Sequence, residues 1–379
     1  VTTLKDQFLL DSQIAYLNHG SYGACPRPVF EVYQKWQLRT EREPTQFFFR
    51  EADPHLDAAR ATIGHYLNAA PDDLVFVPNA TIGLNTVIRS LHLEPGDEIL
   101  TTDHEYGALD YTWEFMCSKT GACYRPHPVP LPVTTHADFV ESFWSAVTPR
   151  TRVIYISHMT SPTALIFPVE EVCRRARAAG ILTIVDGAHI PGHIPLDLTA
   201  LDADFYSGNF HKWLCAPRGS AFLYVKRGHH RLIEPLVISW GWPERESFVR
   251  QNQWQGTREL AAFLSVPAAI EFQEQHNWNA VRAACHDLVR SAQERIARLA
   301  GVQQVSPSTP EWFAQMVTLL LPPCDVEQIE RTLLHDYKVD IPVRAWRDHR
   351  FIRVSIQGYN TANDIDRLLN GLEAQLGTG

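Results

Sequence analysis

Up to Val225 the chain is built from short apolar runs, each ending on a polar tip. Leu74-Val75-Phe76-Val77 leads into Pro78-Asn79-Ala80-Thr81, and Glu98-Ile99-Leu100-Thr101 into Thr102-Asp103-His104-Glu105-Tyr106-Gly107. Val153-Ile154-Tyr155-Ile156-Ser157 ends on His158–Thr163, and Leu182-Thr183-Ile184-Val185 on Asp186-Gly187-Ala188-His189. Asp204-Phe205-Tyr206-Ser207-Gly208 leads to Asn209-Phe210-His211-Lys212-Trp213, and Ala221–Val225 closes the series. Runs this short, bounded by turn residues, read as buried strands of a largely parallel sheet. Helical spacing follows the tips, from Ile82 to about Leu91 and again from near Pro168. Strand, tip and helix in repetition predict a doubly wound α/β sheet, in which ligands bind beyond the carboxyl ends of the strands.

The flanking segments differ. Tyr16–Gly23 reads as a short strand with a glycine-rich turn, followed by helical stretches from about Val29 to Arg39 and from Pro54 to Leu67. Phe47-Phe48-Phe49-Arg50 is a dense aromatic knot suited to core or subunit packing. The segment Tyr124–Val133 is proline-rich, a strand with a loop, and Ser239–Pro243 is an irregular aromatic loop. One long helix is predicted over 259–275. A smaller α+β part then has helices near Trp278–Leu299, Val326–His335 and Ala362–Leu376, and strands near Phe313–Leu320, Val339–Val343 and Phe351–Ser355. The expected division is an N-terminal segment, 1–15, packing with the small domain; a large ligand-binding domain, 16–258; and a small C-terminal domain, 259–379.

Composition narrows the function. At 45% hydrophobic and 20% charged, the 379-residue chain is an ordinary globular protein, which excludes disorder. A net charge of −9 and the lack of a basic stripe argue against nucleic acid as a partner. The seven cysteines are scattered without a Cys-x-x-Cys pair, which argues against a disulfide framework or metal site and fits a reducing compartment. Val1–Asp11 does not read as a signal peptide, and no apolar run is long enough to span a bilayer. The expectation is a cytoplasmic protein.

Most of the six lysines sit in polar surroundings, whereas Lys212 lies just past a short apolar strand and is hemmed in by His211, Trp213 and Leu214. A desolvated lysine beside another potential cation has a lowered pKa, and its neutral amine can attack a carbonyl. Asp186 ends a neighbouring strand on the same sheet edge, where a carboxylate can hold a proton on a pyridine nitrogen. Taken singly, Asp186 serves as well to cap a turn and Lys212 as a surface lysine. Taken together they match what pyridoxal 5'-phosphate (PLP) requires, a lysine Schiff base and an acidic partner. Asn79-Ala80-Thr81 open a helix after a strand, where free N–H groups and the helix dipole attract an anion such as a phosphate, although Asn and Thr are also ordinary helix caps. His104 or Tyr106 could stack on a flat cofactor. Arg353, inside the apolar run Phe351–Ser355, needs a carboxylate or phosphate, from a ligand or from a structural ion pair.

These stretches, with Leu17–Gly23, Ala216-Pro217-Arg218-Gly219, Gly256-Thr257-Arg258 and Tyr359-Asn360-Thr361, resemble in order the fold-type I PLP enzymes of the class V aminotransferase family. The likeness is greatest to its isopenicillin N epimerase-like branch, which also contains C–S lyases. The resemblance implies that Lys212 binds the cofactor and shuttles protons at Cα, and that Asp186 pairs with the pyridine nitrogen. It places His189 and Ser161 near the ring hydroxyl, and Ala80, Thr81 and His211 at the phosphate. Thr257 of the Gly256-Thr257 turn would complete that phosphate site from the other subunit of a homodimer. Tyr106 or His104 would stack on the ring, and Arg353 would grip the carboxylate of a small amino-acid substrate near His19, Gly20 and Ser21. Two departures stand out. Asn209 occupies the place where related cysteine desulfurases carry a phosphate-binding serine, and residues 340–353 contain no cysteine for persulfide chemistry. The missing cysteine speaks against a persulfide mechanism, and the nearest resemblance implies epimerisation at Cα, with Tyr106, His19 or His104 as second acid. The alternatives are β-eliminating C–S lysis, transamination, and a non-catalytic PLP-binding module.

Overall fold

The computed structural model describes residues 4–377. The expected N-terminal segment and C-terminal domain thus each begin or end on residues, 1–3 and 378–379, outside the described chain. In chain order the strands are β1 (Ala15–Tyr16), β2 (Leu74–Val77), β3 (Glu98–Thr102), β4 (Cys123–His127), β5 (Thr151–Ser157), β6 (Leu182–Asp186), β7 (Phe205–Asn209), β8 (Ala221–Val225), β9 (Gln303–Gln304), β10 (Met316–Leu321), β11 (Val339–Asp340), β12 (Val343–Trp346) and β13 (His349–Ser355). Seven of them form one sheet in the order β2-β8-β7-β6-β5-β3-β4. Strands β3 to β7 pair in parallel, while β8 runs antiparallel to both β7 and β2. Almost every residue of β2, β3, β5, β6, β7 and β8 is buried, because helices cover both faces and leave no side for polar alternation.

Register places the chemistry. Ser157 pairs with Asp186 and Asp186 with Ser207, so β5 and β6 end level with one another and β7 runs two residues farther, to Asn209. Strand β8 runs the other way, and its first residue, Ala221, stands opposite both Asn209 and Val77. The tip after β2, which opens the helix Ala80–Ser90, therefore reaches the same edge as the tips after β5, β6 and β7.

A second, antiparallel sheet has the order β12-β13-β10-β9 and carries Arg353 on β13. It is tied to the chain's beginning: Leu4 N–H donates to Gly358 O, β1 pairs in parallel with β11, and Ser355 N–H donates to Leu17 O. The tip at His19–Tyr22 is a single helical turn rather than an open turn, ended by Gly23 at φ 68°, where a Cβ would meet the His211 carbonyl oxygen at 2.0 Å. Only glycine allows so close an approach to the Lys212 loop.

Two expectations break at prolines. The helix expected over 259–275 is two helices, Ala261–Leu264 and Val266–Gln275, because Pro267 has no N–H to continue the first. The strand expected over 339–343 divides at Pro342 into β11 and β12, which belong to different sheets.

Candidate active site

A cavity of about 230 Å³ opens at the strand tips and is lined by Ser21, Asn79, Ala80, Thr81, Tyr106, Ser157, Met159, Ser161, Asp186, Ala188, His189, Asn209, His211 and Lys212. Most of the site residues expected from the sequence thus converge on one cleft.

At its floor, Lys212 Nζ lies 3.1 Å from His189 Nε2, and Trp213 Nε1 donates to His189 Nδ1 at 3.3 Å. Burial, reinforced by the Arg353 charge and opposed by Asp186, brings the Lys212 amine down to about 7, so a large part of it is uncharged at neutral pH. Burial likewise holds His189 well below its ordinary value, helped by the Lys212 charge. Asp186 accepts from Ala188 N–H at 2.9 Å and from Tyr155 Oη at 3.4 Å. Its pKa is raised by burial, opposed by the Ala188 bond and the Lys212 charge. A cation meeting this carboxylate would relieve that desolvation.

The helix Ala80–Ser90 points its N-terminus at the cleft. Asn79 caps it by accepting from Ile82 N–H, and Asn209 Oδ1 accepts from Ala80 N–H at 2.8 Å. Among the described hydrogen bonds, the Thr81 N–H and hydroxyl remain for a ligand, with the positive end of the helix behind them. Asn209 thus spends its carbonyl oxygen on the helix and keeps its amide NH2 for the cleft. His211 donates from Nδ1 to Ser220 O at 2.9 Å and is held neutral, with its pKa down to about 4, by burial and by the Lys212 charge.

Arg353 reaches the cleft through two of its lining residues. Its guanidinium donates to Ser161 O at 2.6 Å and to Ser21 Oγ at 2.8 Å. It is 7% exposed, its Nε has no partner, and no described carboxylate pairs with it. Burial lowers its pKa to about 10. An arginine this deep with no counter-ion is an open carboxylate site.

Four expected residues lie elsewhere. His104 is buried away from the cleft, its nitrogens bonded to Thr163 Oγ1 and Val129 O and its ring edge-on to Trp346, so the ring facing the cleft is that of Tyr106. His19 is fully buried, bonded to Tyr359 Oη and to the Lys212 carbonyl, which leaves neither nitrogen for substrate or for a second acid. Gly20 packs against β10, where a Cβ would meet Met316 Sδ at 2.6 Å. Thr257 lies in a separate cleft with Phe48, Phe49, Trp240 and Trp254.

Ser157 and Glu105 went unread in the sequence. Glu105 is fully buried and accepts from Ser157 Oγ at 2.5 Å and Thr102 Oγ1 at 2.6 Å. Burial pushes its pKa up to about 8 despite those bonds. Ser157 ends a central strand on the ligand edge, which is a readable signal; Glu105 among polar tip residues offers none. Because the folded pKa is raised, the contribution of Glu105 to stability is full below its ordinary 4.5 and lost as pH rises through about 8. Glu105→Gln is therefore expected to flatten the fall of Tm across that window, as thermal melts at a series of pH values would register.

The model of the aminotransferase class-V family matches residues 27–368. Isopenicillin N epimerase of Amycolatopsis lactamdurans is 35% identical over 97% of this chain and 97% of its own. A probable chloroplastic L-cysteine desulfhydrase of Arabidopsis thaliana is 29% identical over 96% of this chain and 83% of its own. Among solved structures, the cystine C-S lyase C-DES, in complex with its reaction product cysteine persulfide, superposes with a TM-score of 0.84 at 23% identity, covering 96% of this chain and 98% of that one.

Proposed function

We propose, from the premise that this chain belongs to the class V aminotransferase family, that it is a PLP-dependent epimerase of the isopenicillin N epimerase type, acting at the α-carbon of an amino-acid substrate. The observation that carries this reading is the meeting of a partly uncharged buried lysine, a desolvated carboxylate, an open helix N-terminus and an unpaired buried arginine around one cleft. Each complements one part of the cofactor or substrate, so the residues fit the group. Lys212 would hold it covalently, Asp186 would keep its ring nitrogen protonated, and Thr81, Asn209 and His211 would take its phosphate. Bound there, the cofactor supplies a sink for the electron pair released at Cα.

The chain's own side chains do the rest. Arg353 fixes the substrate carboxylate through charge-assisted bonds, oriented by Ser21 and Ser161. The Lys212 amine, uncharged because it is desolvated, takes the Cα proton. Epimerisation needs a second acid to return a proton from the other face, and Tyr106 is the candidate that lines the cleft. Tyr106→Phe is expected to cut epimerisation by about 10²–10⁴-fold while Lys212 still exchanges the Cα proton of the L-substrate with deuterium oxide. Mass spectrometry of recovered substrate measures this; equal loss of both activities would count against the assignment.

A homodimer is part of this reading. Phe49 and Trp240, 84% and 85% exposed, border the cleft that holds Thr257, an apolar face suited to a second copy whose phosphate end Thr257 would complete. All seven cysteines are free, which supports a reducing, cytoplasmic setting.

The relationship to the Arabidopsis desulfhydrase supports a second reading, β-elimination. No cysteine lines the cleft among the described residues, which argues against persulfide relay. Incubation of the holoprotein with isopenicillin N and a panel of L-amino acids separates the readings. A change in optical rotation without release of ammonia is expected. Pyruvate with ammonia would identify a lyase, a pyridoxamine spectrum an aminotransferase, and no change with any substrate a binding module.

A further inference from the structure

Trp213 directly follows the cleft lysine and is fully buried, yet its only polar side-chain atom is directed at a histidine rather than at backbone. We propose that Trp213 is a positioning residue whose indole N–H fixes neutral His189 in the tautomer protonated at Nε2, so that His189 presents an N–H to the Lys212 amine. Its catalytic meaning rests on the function proposed above; the proton's position does not.

The argument is one of donor counting. An indole nitrogen can only donate, and a neutral imidazole has one donor and one acceptor. Trp213 Nε1 lies 3.3 Å from His189 Nδ1, so Nδ1 is the acceptor and Nε2 carries the proton. Nε2 is also the nitrogen 3.1 Å from Lys212 Nζ. The doubly protonated ring is disfavoured, since it would set one N–H against the indole N–H beside the charges of Lys212 and Arg353.

The neighbouring rings are fixed by the same count. The backbone N–H of Gln315 donates to His193 Nε2 at 2.8 Å, so His193 Nδ1–H donates to His189 O at 3.0 Å. His19 Nε2–H donates to the Lys212 carbonyl at 3.0 Å and its Nδ1 accepts from Tyr359 Oη at 2.9 Å. The indole is held between these rings, stacked on His193 at 3.8 Å and 18° and tilted to His19 at 4.9 Å. Its carbonyl is tied by Gln273 Nε2 at 3.0 Å.

The consequence falls on Lys212. A donor at Nε2 bonds to the lone pair of an uncharged amine and so favours the form able to take a proton. When the amine is engaged elsewhere, the same N–H serves an oxygen acceptor entering the cleft. The opposite tautomer would present a lone pair there, favouring the ammonium and repelling such an oxygen.

Long-range nitrogen–proton correlation spectra of protein labelled with 15N-histidine test this, with His189→Gln identifying the signals. The cofactor-free and loaded wild-type proteins are both expected to show a protonated Nε2 and a bare Nδ1 at neutral pH. Trp213→Phe keeps a ring against His193 but removes the donor. The Nδ1-to-Nε2 tautomer ratio should then rise about ten-fold, the scale of one lost neutral hydrogen bond, with kcat falling in proportion to the Nε2-protonated form that is lost and little change in KM. Trp213→Leu, which likewise has no donor, serves the same comparison if the phenylalanine variant does not fold. A wild-type ring protonated at Nδ1 or at both nitrogens, or a variant that keeps the pure Nε2 form, would overturn the proposal. Failure to bind PLP would instead sink the proposed function and leave the tautomer standing.

Discussion

Lys212→Met is expected to reduce turnover by about 10²–10⁴-fold or more, the loss typical of removing a positioned proton-transfer group, while making the cofactor-free fold more stable. The two effects share one cause. The amine is taken from its ordinary 10.5 to about 7, chiefly by burial. Between those pH values the unfolded chain binds more protons than the folded one, so stability rises with pH across that window. Below pH 7 the folded protein holds a charged, desolvated ammonium, and the cost is complete. Methionine keeps most of the stem's volume without the charge. The gain in Tm should thus be largest at acid pH and shrink as pH approaches 10.5. A variant melting below wild type at pH 6, with its cofactor removed, would contradict the electrostatic account.

Arg353→Ala is expected to raise KM by about 10²-fold or more with a smaller effect on kcat. The guanidinium is buried beside the cleft with its Nε unpartnered, and two charge-assisted hydrogen bonds to a carboxylate are worth roughly that much. Arg353→Lys should not restore binding. A lysine presents a point charge in place of a planar fork, and could not keep both Ser161 O and Ser21 Oγ while holding the substrate. Steady-state kinetics with one amino acid and its amide provide the check. Equal loss with both substrates would place Arg353 in the structure of the cleft and not in carboxylate recognition.

The features visible in the sequence were those governed by local pattern. Strands β5, β6 and β7 announce themselves as apolar runs, and their polar ends must share an edge if the strands are parallel, which brings Asp186 and Lys212 together. The reversal of β8 is not visible, because strand direction leaves no mark in an apolar run. His104 and Tyr106 stand on one tip, and nothing local separates them. The choice is made by Val129 and Thr163, 25 and 59 residues farther along, which satisfy both nitrogens of His104 and draw it from the cleft. His19 is claimed in the same way by Tyr359 and the Lys212 carbonyl. Pro267 and Pro342 carry a local mark of the breaks in their elements, set against helical spacing and apolar content that continue across them. Glu105 reads as one more polar tip residue, and only the closing of Thr102 and Ser157 around it creates a buried acid.

The central claim is that a cofactor is tethered through the Lys212 amine. The most direct test is borohydride reduction of the purified protein loaded with PLP, followed by peptide mass spectrometry. The account predicts a yellow protein that bleaches on reduction and carries one phosphopyridoxyl label, on Lys212. A protein that stays colourless with excess PLP, or a label found elsewhere with Lys212 unmodified, would contradict it.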